Sequence, residues 1–429
     1  MVLDNHLLDV ASLTDSGRRF GNVSSKIVYP ESEDEVVALV TEANDTGKKL
    51  SIVSGGTKLG YGGTKSDYDL TLSLKKLSGI IEHTVGDMTV TVKPGTTVTE
   101  LQTFLGQYNQ MVSLDPSSPS TATIGGVIAA NESGPKRLKY GSARDHVIGM
   151  RVVYANGKII RTGGKVVKNV AGYDMNKLFI GSMGTLGVVT EITLKLRPIP
   201  KHKSLVILSV REEALDNLKA FTKLVQDSLL EPVSLELVTP SMAKRLIDRD
   251  EYCLLIALED VKKSVQFQEV WIDQHKPEEV VMTAHPTPDY FWKTFSELAP
   301  NSLTDVGEYT HGVLKIGTKN LDVFPLLQEC VRTHHEGRIK VEASGGAGHG
   351  LSTIILSGND ASVVDAIQHF QSFATALNGY AVVKHLPSEL RKELTIWGEH
   401  DGLFKLYKGI KYKQDPNNTL NQQRFIGGI

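Results

Sequence analysis

Cysteine is nearly missing from this 429-residue chain: only Cys253 and Cys330 occur. Two thiols make no disulfide framework and suit a reducing compartment. They also fall short of the roughly four thiolates that an iron–sulfur cluster needs. Any electrons this chain handles must therefore leave through another molecule. Long apolar runs are absent as well. The run 253–258 is among the longest, far below the ~18 residues of a membrane span. The start, Met1-Val-Leu-Asp-Asn-His6, has neither the basic region nor the apolar core of a signal peptide. These absences predict a cytoplasmic chain with no transmembrane segment, attached at most peripherally to the inner face of a membrane through partners. Charge of one sign is lacking too. The 47 basic and 49 acidic residues give a net charge of −2, without the broad positive field of a nucleic-acid binder.

What the chain has is glycine. Its 39 glycines are about 9% of the residues, against a usual ~7%, and they cluster. The rest of the composition, 40% hydrophobic and 22% charged, is globular. The length suits two or three domains.

Residues 26–29 read as a strand closed by Pro30, 31–46 as an amphipathic helix, and 50–54 as a second strand. Val36, Leu39, Val40 and Ala43 fall at helical spacing. Glu31, Glu33, Asp34 and Glu35 crowd the end where the helix dipole favours anions. Such a β-α-β unit predicts parallel strands. Further strands are expected at 70–74, 89–93, 150–154, 158–161 and 188–196, with a helix at 98–108. Asn156-Gly157 marks a hairpin turn. Pro198 and Pro200 mark a boundary, after which glycine is sparse until about 345. Strands at 205–210, 234–238, 254–258, 313–316 and 353–356 then alternate with helices at 212–228, 261–274, 323–334 and 361–377. That pattern predicts helices on one face of an antiparallel sheet. No internal repeat of fixed period is visible.

Three glycine clusters carry the chemistry. Ser54-Gly-Gly-Thr-Lys-Leu-Gly-Tyr-Gly-Gly63 follows a strand directly. A pyrophosphate needs inward amides and close backbone approach, and glycine supplies both. A single loop of this kind serves equally as a flexible surface turn. It is neither a P-loop nor a G-x-G-x-x-G helix start, and it has no histidine or cysteine for a covalent link. The second cluster runs Asp115-Pro-Ser-Ser-Pro-Ser-Thr-Ala-Thr-Ile-Gly-Gly126, continues to Asn131-Glu-Ser-Gly-Pro135, and ends in Tyr140-Gly-Ser-Ala-Arg-Asp145. The third is Gly163-Gly-Lys-Val-Val-Lys-Asn-Val-Ala-Gly-Tyr-Asp174 with Gly181-Ser-Met-Gly-Thr-Leu-Gly187. Three in ordered sequence argue against isolated tight turns.

Taken together with the turn Lys93-Pro-Gly95 and the stretch Gly184-Thr-Leu-Gly-Val-Val-Thr-Glu191, residues ~24–200 resemble the FAD-binding domain of the vanillyl-alcohol oxidase and p-cresol methylhydroxylase family. Lys165–Asp174 and the final Arg424-Phe-Ile-Gly-Gly-Ile429 are similar to the flavin subunits E and D of bacterial glycolate oxidases. The resemblance implies an α+β fold: a two-part FAD-binding domain, with a small β-α-β lobe and a larger mixed-sheet lobe, followed by an α+β cap with an antiparallel sheet. The expected boundaries are a leader at 1–22, the FAD-binding domain at 23–200, a substrate cap at 201–395, and a return to the flavin domain at 396–429. It implies non-covalent FAD, with Ser54, Gly55, Gly56, Thr57, Lys58 and Leu59 at the pyrophosphate. Pro116, Thr123, Gly125, Gly126, Asn131 and Ser133 would lie along the flavin, and Val189 by the adenine half. It also implies a small 2-hydroxy-acid substrate, a second flavin subunit and an iron–sulfur subunit.

The second half departs from this pattern. Asp415-Pro-Asn-Asn-Thr-Leu-Asn421 resembles the family's return element, yet Gln422-Gln423 replaces the usual Pro-Gly. Metal-dependent relatives carry paired histidines and an acid where this chain has Ser344-Gly-Gly-Ala-Gly-His-Gly350, and Glu399-His400 matches only the second half of such a site. No metal is expected, and no catalytic residue is assigned. His311, His349, His385 and His400 each read first as solvent-facing or structural residues, and His349, in a glycine-rich turn, is the best single candidate among them for another role. His334-His335 reads as a favourable cation at a helix end, and Arg391 with Lys392 as a solvated face. Three functions remain open: a subunit oxidising a small 2-hydroxy acid by hydride transfer to flavin N5, a self-sufficient dehydrogenase for D-lactate or another 2-hydroxy acid, and a non-catalytic FAD-binding scaffold.

Overall fold

The structure, a computed structural model, describes residues 11–164, 173–305, 307–335, 338–398 and 402–429. The small lobe contains β1 (Ile27–Val28), α1 (Glu33–Asp45), β2 (Leu50–Val53) and β3 (Leu70–Ser73). Ser32 caps α1 by accepting from the Glu35 amide, and Val36, Leu39, Val40 and Ala43 are the buried face, as their spacing predicts. The strands run parallel in the order β1-β3-β2.

The larger lobe holds β4 (Ile80–Thr84), β5 (Thr89–Val92), α2 (Val98–Gly106), α3 (Ile124–Ala130), β6 (Val147–Val153), β7 (Ile159–Gly163) and β8 (Val188–Lys195). All strand pairs in its sheet, ordered β4-β5-β8-β6-β7, are antiparallel. The Asn156-Gly157 turn closes the β6–β7 hairpin, with Gly157 at φ 77°.

The cap is one eight-stranded antiparallel sheet. Its first half is β9 (His202–Val210), α4 (Leu215–Asp227), β10 (Ser234–Val238), α5 (Pro240–Ile247), β11 (Tyr252–Asp260), α6 (Lys262–His275) and β12 (Val281–Ala284), followed by α7 (Pro288–Ser296). Its second half is β13 (Thr310–Gly317), α8 (Val323–His335), β14 (Lys340–Gly346), β15 (Leu351–Gly358), α9 (Asp360–Ala376) and β16 (Tyr380–His385). The sheet order is β12-β9-β11-β10-β14-β15-β13-β16. Each half is therefore a β-α-β-β-α-β unit whose strands lie in the order 4-1-3-2, and the two halves join through β10 and β14, Leu237 opposite Gly345. A sequence with no fixed period thus contains a structural repeat, because topology repeats here and residue spacing does not.

The one-face expectation needs correcting. α4, α6, α8 and α9 cover one face of the sheet, over alternate residues such as Leu254, Ile256, Leu314 and Ile316. On the opposite face, α5 and α7 cover Leu205, Ile207, Leu255 and Ile355. Burial on both faces explains the unbroken apolar run 253–258. Among the described residues, no helix is long and apolar enough to cross a membrane.

After β16 the chain forms α10 (Phe404–Gln414) and returns to the small lobe. Leu420 pairs in parallel with Leu50, and Asn421 accepts from the Ile52 amide at 2.6 Å. In the Gln422-Gln423 turn, Gln423 itself adopts φ 64°. The turn is anchored by Lys411, which is buried and donates to Thr185 O, Leu420 O and Asp415 Oδ2 at 2.8, 2.9 and 2.6 Å. Lys411→Met leaves a buried carboxylate without its counter-charge, so chemical denaturation is expected to show a loss of about 3–5 kcal/mol. An unchanged denaturation midpoint would refute this anchor.

Candidate functional site

The glycine loop begins at the end of β2. Among the described residues, the amides of Gly55 to Leu59 have no protein acceptor, and Gly56 sits at φ 78°. Such a row of free amides beside a positive-φ glycine makes an anion nest. Thr123 Oγ1 donates to Ser54 Oγ at 2.8 Å, and also caps α3 by accepting from the Gly126 amide. Ser51 to Leu59, Thr123, Gly126, Ala129, Ala130, Met183, Asn421 and Arg424 line one continuous cleft. The loop is braced from behind. A side chain at Gly63 would place Cβ 1.7 Å from Gln423 O, and Arg424 donates to Lys58 O and Leu59 O.

The two glycines of α3 divide the work. A Cβ on Gly126 meets only its own cap, Thr123 Oγ1, at 3.3 Å, so that face is open to the cleft. A Cβ on Gly125 would lie 2.6 Å from Pro94, and its amide donates to Pro94 O. Gly125 therefore serves the contact between α3 and the Lys93-Pro-Gly95 turn. Pro116 is buried beside the second cleft, between lining residues Asp115 and Ser117, while Ser133 and Asn131 line it. Val189 packs on the core of the large lobe and lines none of the three main clefts.

That second cleft, of about 990 Å³, lies between the loop 115–137 and the cap sheet. A third opens toward Tyr380, Trp397 and Tyr407. All three meet at Ala130, the end of α3, where Asn131 turns left-handed at φ 47° with its buried Oδ1 unpartnered among the described residues.

The next residue, Glu132, ties the parts together. Lys58 Nζ lies 2.6 Å from Oε2 and Lys384 Nζ 3.2 Å from Oε1. Burial pushes this carboxyl up, but the two ammonium groups outweigh it and hold it at about 2. Lys384 reaches Glu132 through a β-bulge. Val313 opposes His385 and Leu314 opposes Val383, which leaves Lys384 as the extra residue. Its neighbour His385 donates to Asp305 Oδ2, and His311 to Asp305 Oδ1, both at 2.8 Å. Burial works against the Asp305 anion, yet the two histidine bonds and Arg19 hold it well below the usual carboxylate range. His385 and His311 are thereby fixed as structural groups.

Other histidine expectations also change. His349 Nδ1 accepts from the Leu351 amide at 3.2 Å. Burial and the Arg137 charge push the ring down to about 4, so it is neutral with its proton on Nε2: a donor, not a base. His334 Nδ1 accepts from the Val341 amide at 3.1 Å, which a cationic ring cannot do. Arg391 is no solvated face: it is buried and donates to Gly62 O at 2.9 Å and Gly63 O at 3.2 Å, whereas Lys392 pairs with Glu389 at the surface. Glu399, His400 and the stretch 165–172 lie outside the described residues. Among the described residues, no group of three His, Cys, Asp or Glu side chains is placed to hold a metal.

The cap contributes groups that motif reading missed. Lys315, Ser344, Thr353 and Glu236 line the cleft from the sheet. Burial, reinforced by the charges of Lys384 and Arg137, lowers Lys315 to about 8. Burial raises Glu236 to about 8 against the Ser344 hydroxyl, with Asp115 adding to the rise. Asp115 itself is raised to about 6 by burial, although the Lys136 and Gly134 amides bond to it.

These clefts join a glycine-lined anion nest to a two-part cap. Residues 24–163 match the family described as FAD binding domain, and this chain carries that domain. The fold is that of p-cresol methylhydroxylase: a solved structure with substrate bound superposes at TM-score 0.74 and 17% identity, over 98% of this chain and 93% of that one. Among curated relatives, glycolate oxidase subunit GlcD of Bacillus subtilis is 38% identical over 193 residues, 45% of this chain and 41% of that protein. Glycolate oxidase subunit GlcE of Escherichia coli is 39% identical over 144 residues, 33% of this chain and 40% of that protein. A mitochondrial cytochrome-type D-lactate dehydrogenase of Arabidopsis thaliana is 33% identical over 239 residues, 53% of this chain and 41% of that protein. The chain thus spans about two fifths of the length of each of these relatives.

Glu236 yields a pH test. Its folded pKa lies above the ordinary 4.5, so the folded state keeps a proton that the unfolded chain releases. Its stabilising contribution is whole below about 4.5 and is lost as pH rises through about 8. Glu236→Gln removes this loss. The variant's stability relative to wild type should grow by on the order of 3–5 kcal/mol between pH 5 and 9, read by thermal melts of both proteins. A constant difference refutes it.

Proposed function

We propose that this chain is the FAD-binding subunit of a glycolate-oxidase-type complex, oxidising a small 2-hydroxy acid and passing the electrons to a partner. The observation that carries the reading is Lys315. It stands on the cap face of the cleft, as Arg137 does on the loop side, and neither makes an ion pair among the described residues, while Lys58 and Lys384 share the one charge of Glu132 and Lys136 pairs with Glu259. A carboxylate substrate supplies the missing anion.

FAD, held non-covalently, supplies the hydride acceptor at N5 when bound. Its pyrophosphate suits the free amides of 55–59, and the open face of Gly126 leaves room beside them. Asn131 Oδ1 is a buried acceptor at the meeting point of the clefts, suited to an N–H of the flavin ring. Lys315 holds the carboxylate, and the apolar roof of α5 and α7 excludes water from the face where the hydride leaves. With only two cysteines, the onward carrier is a separate molecule such as an iron–sulfur subunit, alongside a second flavin subunit. The relatives GlcD and GlcE support a complex of several subunits. A self-sufficient dehydrogenase is the second reading, favoured by the complete cap and the likeness to a D-lactate dehydrogenase.

Lys315→Met is expected to raise the dissociation constant for the hydroxy acid about 10- to 100-fold, the loss of a charge-assisted bond, while FAD stays bound. Anaerobic flavin bleaching by glycolate and D-lactate, with the chain alone and with candidate partners, measures it. Bleaching by the isolated chain with rapid turnover of an artificial acceptor selects the second reading. No bleaching by any 2-hydroxy acid in either setting refutes both.

A further inference from the structure

The cap wall of the main cleft is too long and too apolar for a two-carbon acid. Strand register sets its dimensions. Lys315 on β13 opposes Thr353 on β15, which opposes Ser344 on β14, which opposes Val238 on β10. Glu236 sits two residues before Val238 on the same face. Lys315 and Glu236 are thus three strand intervals apart, about 14 Å between their backbones. Both line the same cleft. Glycolate spans less than one such interval, so a molecule held at Lys315 leaves most of the wall bare.

The row between these ends is polar, Thr353 and Ser344, and a hydrophobic surface flanks it on the side away from Glu236. Ile355, one residue pair along β15 from Thr353, belongs to the core under α5 and α7, and its cleft side is continued by Met242, Trp292, Phe295 and Leu298. Phe295 and Trp292 meet edge to face at 5.4 Å, and Phe291 braces Trp292 from behind at 5.2 Å, which fixes the aromatic wall. The far end is polar: the buried Glu236 Oε2 has no hydrogen-bond partner among the described residues. Removing apolar surface from water is the main source of affinity for such a wall.

We infer that the preferred substrate is a 2-hydroxy acid whose side chain is apolar and of ring size, of the aryl-lactate class. Its carboxylate lies at Lys315 and its ring against Ile355, Trp292 and Phe295, which flank Lys315 on the side away from Glu236. This rests on the proposed 2-hydroxy-acid oxidation and narrows its substrate. The reaction is unchanged in kind: the Cα–H bond would break with its electron pair passing to the flavin as hydride, the hydroxyl proton would pass to solvent water through the open cleft, and the C–O single bond would become the carbonyl of a 2-oxo acid.

The FAD-loaded full chain is titrated anaerobically with glycolate, D-lactate, 3-phenyllactate and 3-(4-hydroxyphenyl)lactate, following both the spectral perturbation on binding and the bleaching. Phenyllactate should bind at least about tenfold more tightly than D-lactate, from a ring's worth of buried apolar area. Phe295→Ser should weaken both aryl acids about tenfold and leave D-lactate binding as it was. Glycolate or D-lactate binding as tightly as the aryl acids overturns the inference and leaves the 2-hydroxy-acid reading standing. If no acid perturbs or bleaches the flavin, both fall.

Discussion

The Glu132 carboxylate is the point on which the rest of the site depends. It is buried at the end of the helix that opens the flavin cleft, and takes one lysine from the glycine loop and one from the cap sheet. Three segments distant in sequence are thereby fixed to one charge. Breaking a buried pair of this sort is costly because the surviving charge has no water to turn to. The same pairing sets the chemistry beside it. Lys58 and Lys384 share one carboxylate, so positive potential remains beside it, joined by Arg137 and by Lys315, whose own ammonium is weakened by burial and by the charges of Lys384 and Arg137.

Lys384 and His385 are consecutive, and in a regular strand they would point to opposite faces. The bulge opposite Val313 and Leu314 gives both a role at the domain junction: Lys384 at Glu132, His385 at Asp305. His385 also packs on the glycine loop, where a Cβ at Gly60 would lie 2.7 Å from Nδ1. The loop is thus held by the cap from one side and by Arg424 and Gln423 of the returning tail from the other. Gly60 and Gly63 are needed for these protein contacts, a role that glycine counting in a sequence does not separate from ligand binding.

The flavin half was the more legible half for a physical reason. Its constraints are local: a cap residue such as Thr123, a helix face at 3.6-residue spacing, a hairpin at Asn156-Gly157. Ordered in one stretch, they read directly. The cap's functional groups come from the register of strands far apart in the chain, and no local pattern contains that. A trace was present, however. Glu236 in Ser-Leu-Glu-Leu-Val and Lys315 in Gly-Val-Leu-Lys-Ile each interrupt an apolar strand with a charge, and a charge inside such a run is rarely buried without a task. Arg391 misled for the opposite cause: it sits in a polar stretch, and only the close approach of Gly62 and Gly63 shows that its guanidinium is internal.

The repeat in the cap explains why one sheet makes both a core and a site. Both halves bury the same face under α4, α6, α8 and α9. On the other face they differ. The first half carries α5, inserted between its middle strands, and α7 follows it, whereas the second half has only the tight turn 347–350 in the place of α5. The uncovered face of the second half is therefore free to meet the flavin domain, and the edge of the first half's cover becomes the apolar wall of the cleft. Lys315 belongs to the bare half, Met242 and Trp292 to the covered one. The contrast between a charged end and a hydrophobic wall is thus a direct consequence of an insertion in one copy of a duplicated unit.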